Sequence, residues 1–398
     1  MAVLTASLFL RKNGPSSLAF IAVYYLYFSF GPVIAYLLGE EIFEGTVEDH
    51  IPTATLGYAI AITGLWISDR IIKFSDEVEN SSSIERIPFQ KWSSWTFNTV
   101  LVSGIAYGIV FGLTVLSSGN FGNKGAAISS AGGFHYQYLL IMALSLCWTG
   151  SYWNERGLSR TLAAIGWLSF IFYCLITTER DFILILFSFG IHFVVFSKSR
   201  ASVLKFGLMG ALAAVLGTFL FVQRAGEELS FAAILNQGST LFIDTFIYDW
   251  VESGSWYPTD SWVSALTNTL PTVDGALSQW LVVLYTGDNI AQYAYGFSIT
   301  AEAFMNGGFF GILAFFCVIG TIHRLLLKMA QSSGVWLGLS VAFLYLFLYA
   351  IRGELYSFVS GSTGAILLAV FFAIGSRRHA SNNKSTLQKS DSETLLAN

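Results

Sequence analysis

Charge is what this chain has least of. Lys, Arg, Asp and Glu make up 12% of its 398 residues, where a soluble domain carries about 25%. That is too little polar material to cover a water-facing globule. The formal net charge of −4 leaves no basic footprint for nucleic acid. Cysteine is also scarce. Cys147, Cys174 and Cys317 each fall inside an apolar run, without pairing or metal-ligand spacing, and read as small core hydrophobes. No nucleotide loop, metal-spaced His or Cys cluster or nucleophile elbow is present, so no cofactor and no metal are expected. A cleavable signal peptide is not expected either, because the apolar start, Met1 to Leu10, precedes Arg11 and Lys12 rather than following them. There is no internal repeat.

What the chain does have is length of apolar run. Hydrophobic residues form 54% of it and aromatics 16%, many of the aromatics flanking apolar stretches as an interfacial belt requires. A hydrocarbon core of about 30 Å needs about 20 residues of helix at 1.5 Å rise each. Ten stretches are read as spans, at roughly 18–38, 53–68, 93–117, 136–153, 161–178, 182–197, 203–222, 298–320, 334–351 and 355–375. Lipid leaves few other ways to satisfy a backbone, so the expected fold is an all-α polytopic bundle. Residues 1–222 then carry seven transmembrane helices, 223–297 one large external loop, 298–376 three more helices, and 377–398 a polar, disordered cytoplasmic tail.

Basic residues set the orientation. With the N-terminus inside, 17 of the 21 Lys and Arg become cytoplasmic, while 17 of the 25 acids lie outside. Only Lys124, Arg180, Arg224 and Arg352 remain as external bases. Lys124 sits in a Gly-rich hairpin and reads as an ordinary solvated residue. Each arginine follows an outgoing helix, in TTERDF, FVQRAG and YAIRGE, so all three are expected near one depth. Such arginines can grip phosphate through paired N–H···O bonds. Equally, each can reach the headgroups and pair with Glu179, Glu227 or Glu354.

Glu302, in GFSITAEAFMNGGFFG, is a carboxylate at helix depth and needs a partner there. It could orient a sugar hydroxyl, act as a base, or hold an arginine. Asn306, Gly307, Gly308 and Gly311 are expected to allow close helix packing. The external loop holds Trp250, Trp256, Tyr257, Trp262 and Trp280, flat faces for sugar rings or else an interfacial belt. It carries eight acids, Asp244 and Asp249 among them, against one base, which suits sugar hydroxyls better than phosphate. The stretch from Phe231 to Val251 is expected as an interfacial helix.

The order TTERDF, FVQRAG, a long loop containing LTNTLP, then GFSITAEAFMNGGFFGILAFFCVIG and YAIRGELYSFV resembles the O-antigen polymerase family of bacterial oligosaccharide repeat-unit polymerases. The resemblance covers roughly residues 170–375. It implies an inner-membrane glycosyltransferase that works on the periplasmic side on undecaprenyl-diphosphate-linked oligosaccharides in lipopolysaccharide or related polysaccharide biosynthesis. The implied partners are that lipid-linked substrate, membrane lipid, a polysaccharide chain-length regulator and a flippase. The family's recurrent functional arginines map to Arg180, Arg224 and Arg352. On this reading the arginines stabilise the departing diphosphate, and Glu302 or a loop acid such as Asp249 deprotonates or orients the acceptor hydroxyl. Trp256, Tyr257 and Trp262 are the expected sugar contacts. A related ligase carries a functional histidine in its large loop, and this loop has none. A transporter or flippase of lipid-linked sugars would be expected to place ionisable groups nearer mid-membrane.

Overall fold

The computed structural model describes residues 1–10, 15–40, 43–72, 94–119, 129, 134–152, 158–197, 204, 207–208, 210, 240–254, 261–267, 277–287, 296–331 and 334–372. Among these the chain is helical and contains no strand. In order, α1 is Ala2–Phe9, α2 Ser17–Ser29, α3 Gly31–Leu37, α4 Ile51–Ile71, α5 Ser94–Ser117, α6 His135–Cys147, α7 Thr149–Tyr152, α8 Leu158–Thr177, α9 Asp181–Ser197, α10 Thr240–Glu252, α11 Ser261–Thr267, α12 Leu277–Thr286, α13 Ile299–Ala330 and α14 Gly334–Ala350. The last helix, α15, is Leu355–Phe372.

Among the described residues five helices are long and apolar enough to cross a membrane: α4 with the 3-10 turn before it, α5, α8, α13 and α15. A sixth span is formed if α2 and α3, bent by 45°, are taken together. The bend has a local cause. Pro32 lies in the first turn of α3 and can neither donate an N–H nor tolerate the carbonyl of Phe28 below it. Three of the predicted runs give shorter apolar helices, α6, α9 and α14. Hydropathy reports apolar length and not helical continuity, and α6 stops at a turn at Trp148 before α7 begins. The predicted run 203–222 lies outside the described residues, apart from isolated positions.

The centre of the bundle is α13 against α4 and α14. The α4–α13 contact is close because glycines stand on both sides of it. A Cβ on Gly64 would lie 2.9 Å from the Leu313 carbonyl oxygen, and one on Gly320 would run into the Ser68 hydroxyl. Small residues of this kind let helix backbones approach without side chains between them.

Two expectations about α13 need correction. The helix runs past the predicted end at 320 to Ala330, so Arg324 lies within it. There Arg324 is buried, with Nε 3.7 Å from Asp69 of α4 and a 3.1 Å hydrogen bond to the Ile72 carbonyl. The Ser16 hydroxyl, which caps α2, also donates to Asp69 at 2.7 Å. This is a paired interior charge, not a solvated one. Second, Gly307 and Gly308 do not mediate packing, because a Cβ on either would meet nothing within 4 Å. They break the helix instead, with φ −164° at Gly307 and φ 57° at Gly308. Gly311 does pack, against the Ala303 carbonyl. A short half-helix, 299–306, is therefore set at an angle to the long remainder.

The segment 223–297 holds three helices among its described residues. α10 is not laid on a surface. It packs against α4 and α13 and buries Leu241, Asp244 and Tyr248, one stripe at helical spacing. Phe242, Ile247, Leu281 and Phe297 make a second small core that joins α10 and α12 to the half-helix.

Candidate functional site

Two turns carry Arg180 and Arg352. At the end of α8, Thr178 takes φ 56°, a left-handed conformation rare for a branched residue. The chain reverses there and the Glu179 amide donates to the Cys174 carbonyl at 2.8 Å. The Arg180 carbonyl then accepts from Ile183 and Leu184 in the first turn of α9. Asp181 stands at that N-terminus, where the helix dipole favours an acid, and Tyr345 of α14 donates to it at 2.6 Å. Behind the turn is a buried histidine. His135 places Nδ1 2.8 Å from the Tyr173 hydroxyl and Nε2 3.3 Å from the Glu179 carboxylate.

The second turn joins α14 to α15 and carries Arg352. Its backbone closes through Arg352 N–H to Tyr349 O and Gly353 N–H to Ala350 O. Glu302 of the half-helix is 1% exposed and accepts the Leu355 amide at 2.6 Å, capping α15. Glu354, also buried, accepts the amides of Leu277 and Ser278 and so caps α12. Asn306 donates both to the Glu302 carbonyl at 2.7 Å and to the Ser261 hydroxyl of α11 at 2.6 Å. The half-helix, the Arg352 turn and the loop helices are therefore fastened to one another by carboxylates and an amide.

The two turns face a common neighbour. The Arg352 guanidinium lies 5.1 Å from the Phe28 ring, a cation–π contact, and Phe28 is 4.7 Å from the Tyr24 ring. Phe187 of α9, the helix that follows Arg180, lies 5.7 Å from the same Tyr24 ring. Both arginines are half-buried.

Residues 285–378 match the family model of the O-antigen polysaccharide polymerase Wzy. The match contains the Glu302 half-helix, the Arg352 turn and α15. It supports an O-antigen polymerase-type function in polysaccharide biosynthesis, and the apolar helices fit a multi-pass membrane protein. No curated protein and no solved structure matches the chain.

The remaining predicted residues are dispersed. Asp249 is on the exposed side of α10, 3.3 Å from His50 Nε2. Trp262 of α11 is half-buried beside Phe315, ring centroids 6.3 Å apart. Arg224, Trp256 and Tyr257 lie outside the described residues. Sequence reasoning gave no role to Tyr24, whose place in an apolar run reads as core. Asp244, counted above only as one of the loop acids, is buried in α10. It accepts the Tyr58 hydroxyl at 2.7 Å, and burial, partly offset by Ser298, Tyr58 and the Ala301 amide, pushes its pKa up to about 7. The signal available was the spacing Leu241, Asp244, Tyr248, which puts the acid on the apolar face of α10.

Proposed function

We propose that this chain is a periplasm-facing glycosyltransferase that joins lipid-diphosphate-linked oligosaccharide repeat units into O-antigen or a related surface polysaccharide. The observation that carries the proposal is the polymerase-family match over residues 285–378, which contains the Arg352 turn. On this reading the bundle crosses the inner membrane ten times and the segment 223–297 lies outside.

In the mechanism, Arg180 and Arg352, joined by Arg224, hold the diphosphate of the donor. Guanidinium groups take phosphate oxygens in bidentate pairs and stay charged at any working pH. As the anomeric carbon–oxygen bond breaks, negative charge grows on the leaving diphosphate, and fixed cations in a site of low dielectric stabilise it. Glu302 serves as a positioning residue, because its carboxylate already holds the Leu355 amide and thereby the Arg352 turn. Asp249, exposed beside His50, would orient an acceptor hydroxyl, with Trp256, Tyr257 and Trp262 supplying faces for the sugars.

Deletion of the gene tests the class of activity. Surface polysaccharide reduced to single repeat units supports a polymerase. Long chains that accumulate on the carrier lipid would point to a ligase-like transferase instead, and unaltered polysaccharide would contradict the proposal.

A further inference from the structure

Tyr24 is a polar group that the apolar pattern of α2 does not require. Its ring is held on two sides, 4.7 Å from Phe28 on its own helix and 5.7 Å from Phe187 of α9. Phe28 also carries the Arg352 guanidinium at 5.1 Å, so one aromatic ring fixes both groups. Tyr24 is half-buried rather than sealed in the core. Asp181, at the start of α9, already accepts the Tyr345 hydroxyl. The phenol is thus an O–H donor on a ring held one aromatic contact away from Arg352, a cation that can donate but never accept. Donors held together in this way suit an anion with several acceptor oxygens, and a diphosphate offers them.

We infer that the Tyr24 hydroxyl donates a hydrogen bond to the diphosphate of the lipid-linked substrate that the arginines hold. The inference rests on the proposed polymerase reading and adds to it a substrate-binding residue from the first span. The ring contacts explain why the position is aromatic, and the hydroxyl is the part that packing leaves unexplained.

The test is binding of undecaprenyl diphosphate to the purified full chain in detergent, with inorganic pyrophosphate as competitor and undecaprenol as the phosphate-free probe. Tyr24→Phe keeps both ring contacts and removes only the hydroxyl. It is expected to weaken undecaprenyl diphosphate about tenfold or more, the loss of one hydrogen bond to a charged group, while undecaprenol binding and thermal melting stay unchanged. Tyr24→His, which keeps a flat ring with an N–H donor, is expected to recover part of the loss. Pyrophosphate should compete less well against the Phe variant by the same factor. Wild-type affinity in Tyr24→Phe, with Arg180→Ala and Arg352→Ala weakened, would overturn the role of Tyr24 and leave the polymerase reading standing. An equal loss for undecaprenol would also overturn it, by assigning the effect to the lipid chain. Failure of the wild-type protein to bind undecaprenyl diphosphate at all would remove the polymerase reading, and this inference with it.

Discussion

The Glu302 carboxylate and the Leu355 amide are joined by a 2.6 Å hydrogen bond across the fold. It ties the half-helix before the Gly307–Gly308 break to the turn that carries Arg352. The bond also separates two roles for Glu302 that its place in the sequence leaves open. A glutamine can still accept from the Leu355 amide but cannot take a proton from an acceptor sugar.

Glu302→Gln is therefore expected to keep polymer formation within about threefold of wild type, since the amide oxygen makes the same bond. Glu302→Ala leaves a buried amide without a partner, and should lose about 1–3 kcal/mol of stability along with activity. Melting in detergent and polymer yield per folded enzyme check both. Equal inactivity of Gln and Ala, with normal melting, would instead make Glu302 the base.

The break in α13 predicts a contrast between neighbours. Neither Gly307 nor Gly308 has anything within 4 Å of an added Cβ, so sterics with other side chains cannot distinguish them. The backbone can. Gly307 sits at φ −164°, which any residue adopts, and Gly308 at φ 57°, ψ −147°. Gly307→Ala should melt close to wild type, while Gly308→Ala should cost roughly 1–3 kcal/mol and misplace Glu302. Comparable melting for the two variants would mean that the break does not depend on Gly308.

Asp244 gives a pH prediction. The folded chain holds its proton up to about pH 7, whereas an unfolded aspartate releases it near pH 4. The stability due to this proton is present below about pH 4 and is lost as pH rises through about 7, on the order of 4 kcal/mol in all. Melting of wild type should fall from pH 5 to pH 8 relative to Asp244→Asn, which mimics the protonated acid and still accepts from Tyr58. Parallel curves for the two proteins would contradict this.

Much of this architecture is legible in the sequence because a membrane helix announces itself by composition. Every predicted run with described residues throughout coincides with helix, and the arginine turns fall where charges interrupt the runs. What was not legible depends on partners. Gly307 and Gly308 look like packing glycines until the space around them is known. Arg324 looks like a topological charge, but Asp69 lies beside it, and hydropathy does not pair residues across the fold. Tyr24 looks like core because no local feature tells that Phe28 joins it to the Arg352 turn. Glu302 was visible as a charge out of place, but the group that satisfies it, a backbone amide, has no sequence signature.

The central claim is that Arg180 and Arg352 hold the diphosphate rather than anchor the chain in the headgroups. Polymer formation from purified lipid-linked repeat units, normalised to folded enzyme in detergent, tests it most directly. Lysine reaches headgroups as arginine does but lacks the planar fork. Arg180→Lys and Arg352→Lys should each be clearly slower than wild type. The Ala variants should be about ten- to a hundredfold slower, the loss of one charge-assisted contact of about 1.5–3 kcal/mol. Near-normal rates for both Ala variants would contradict it.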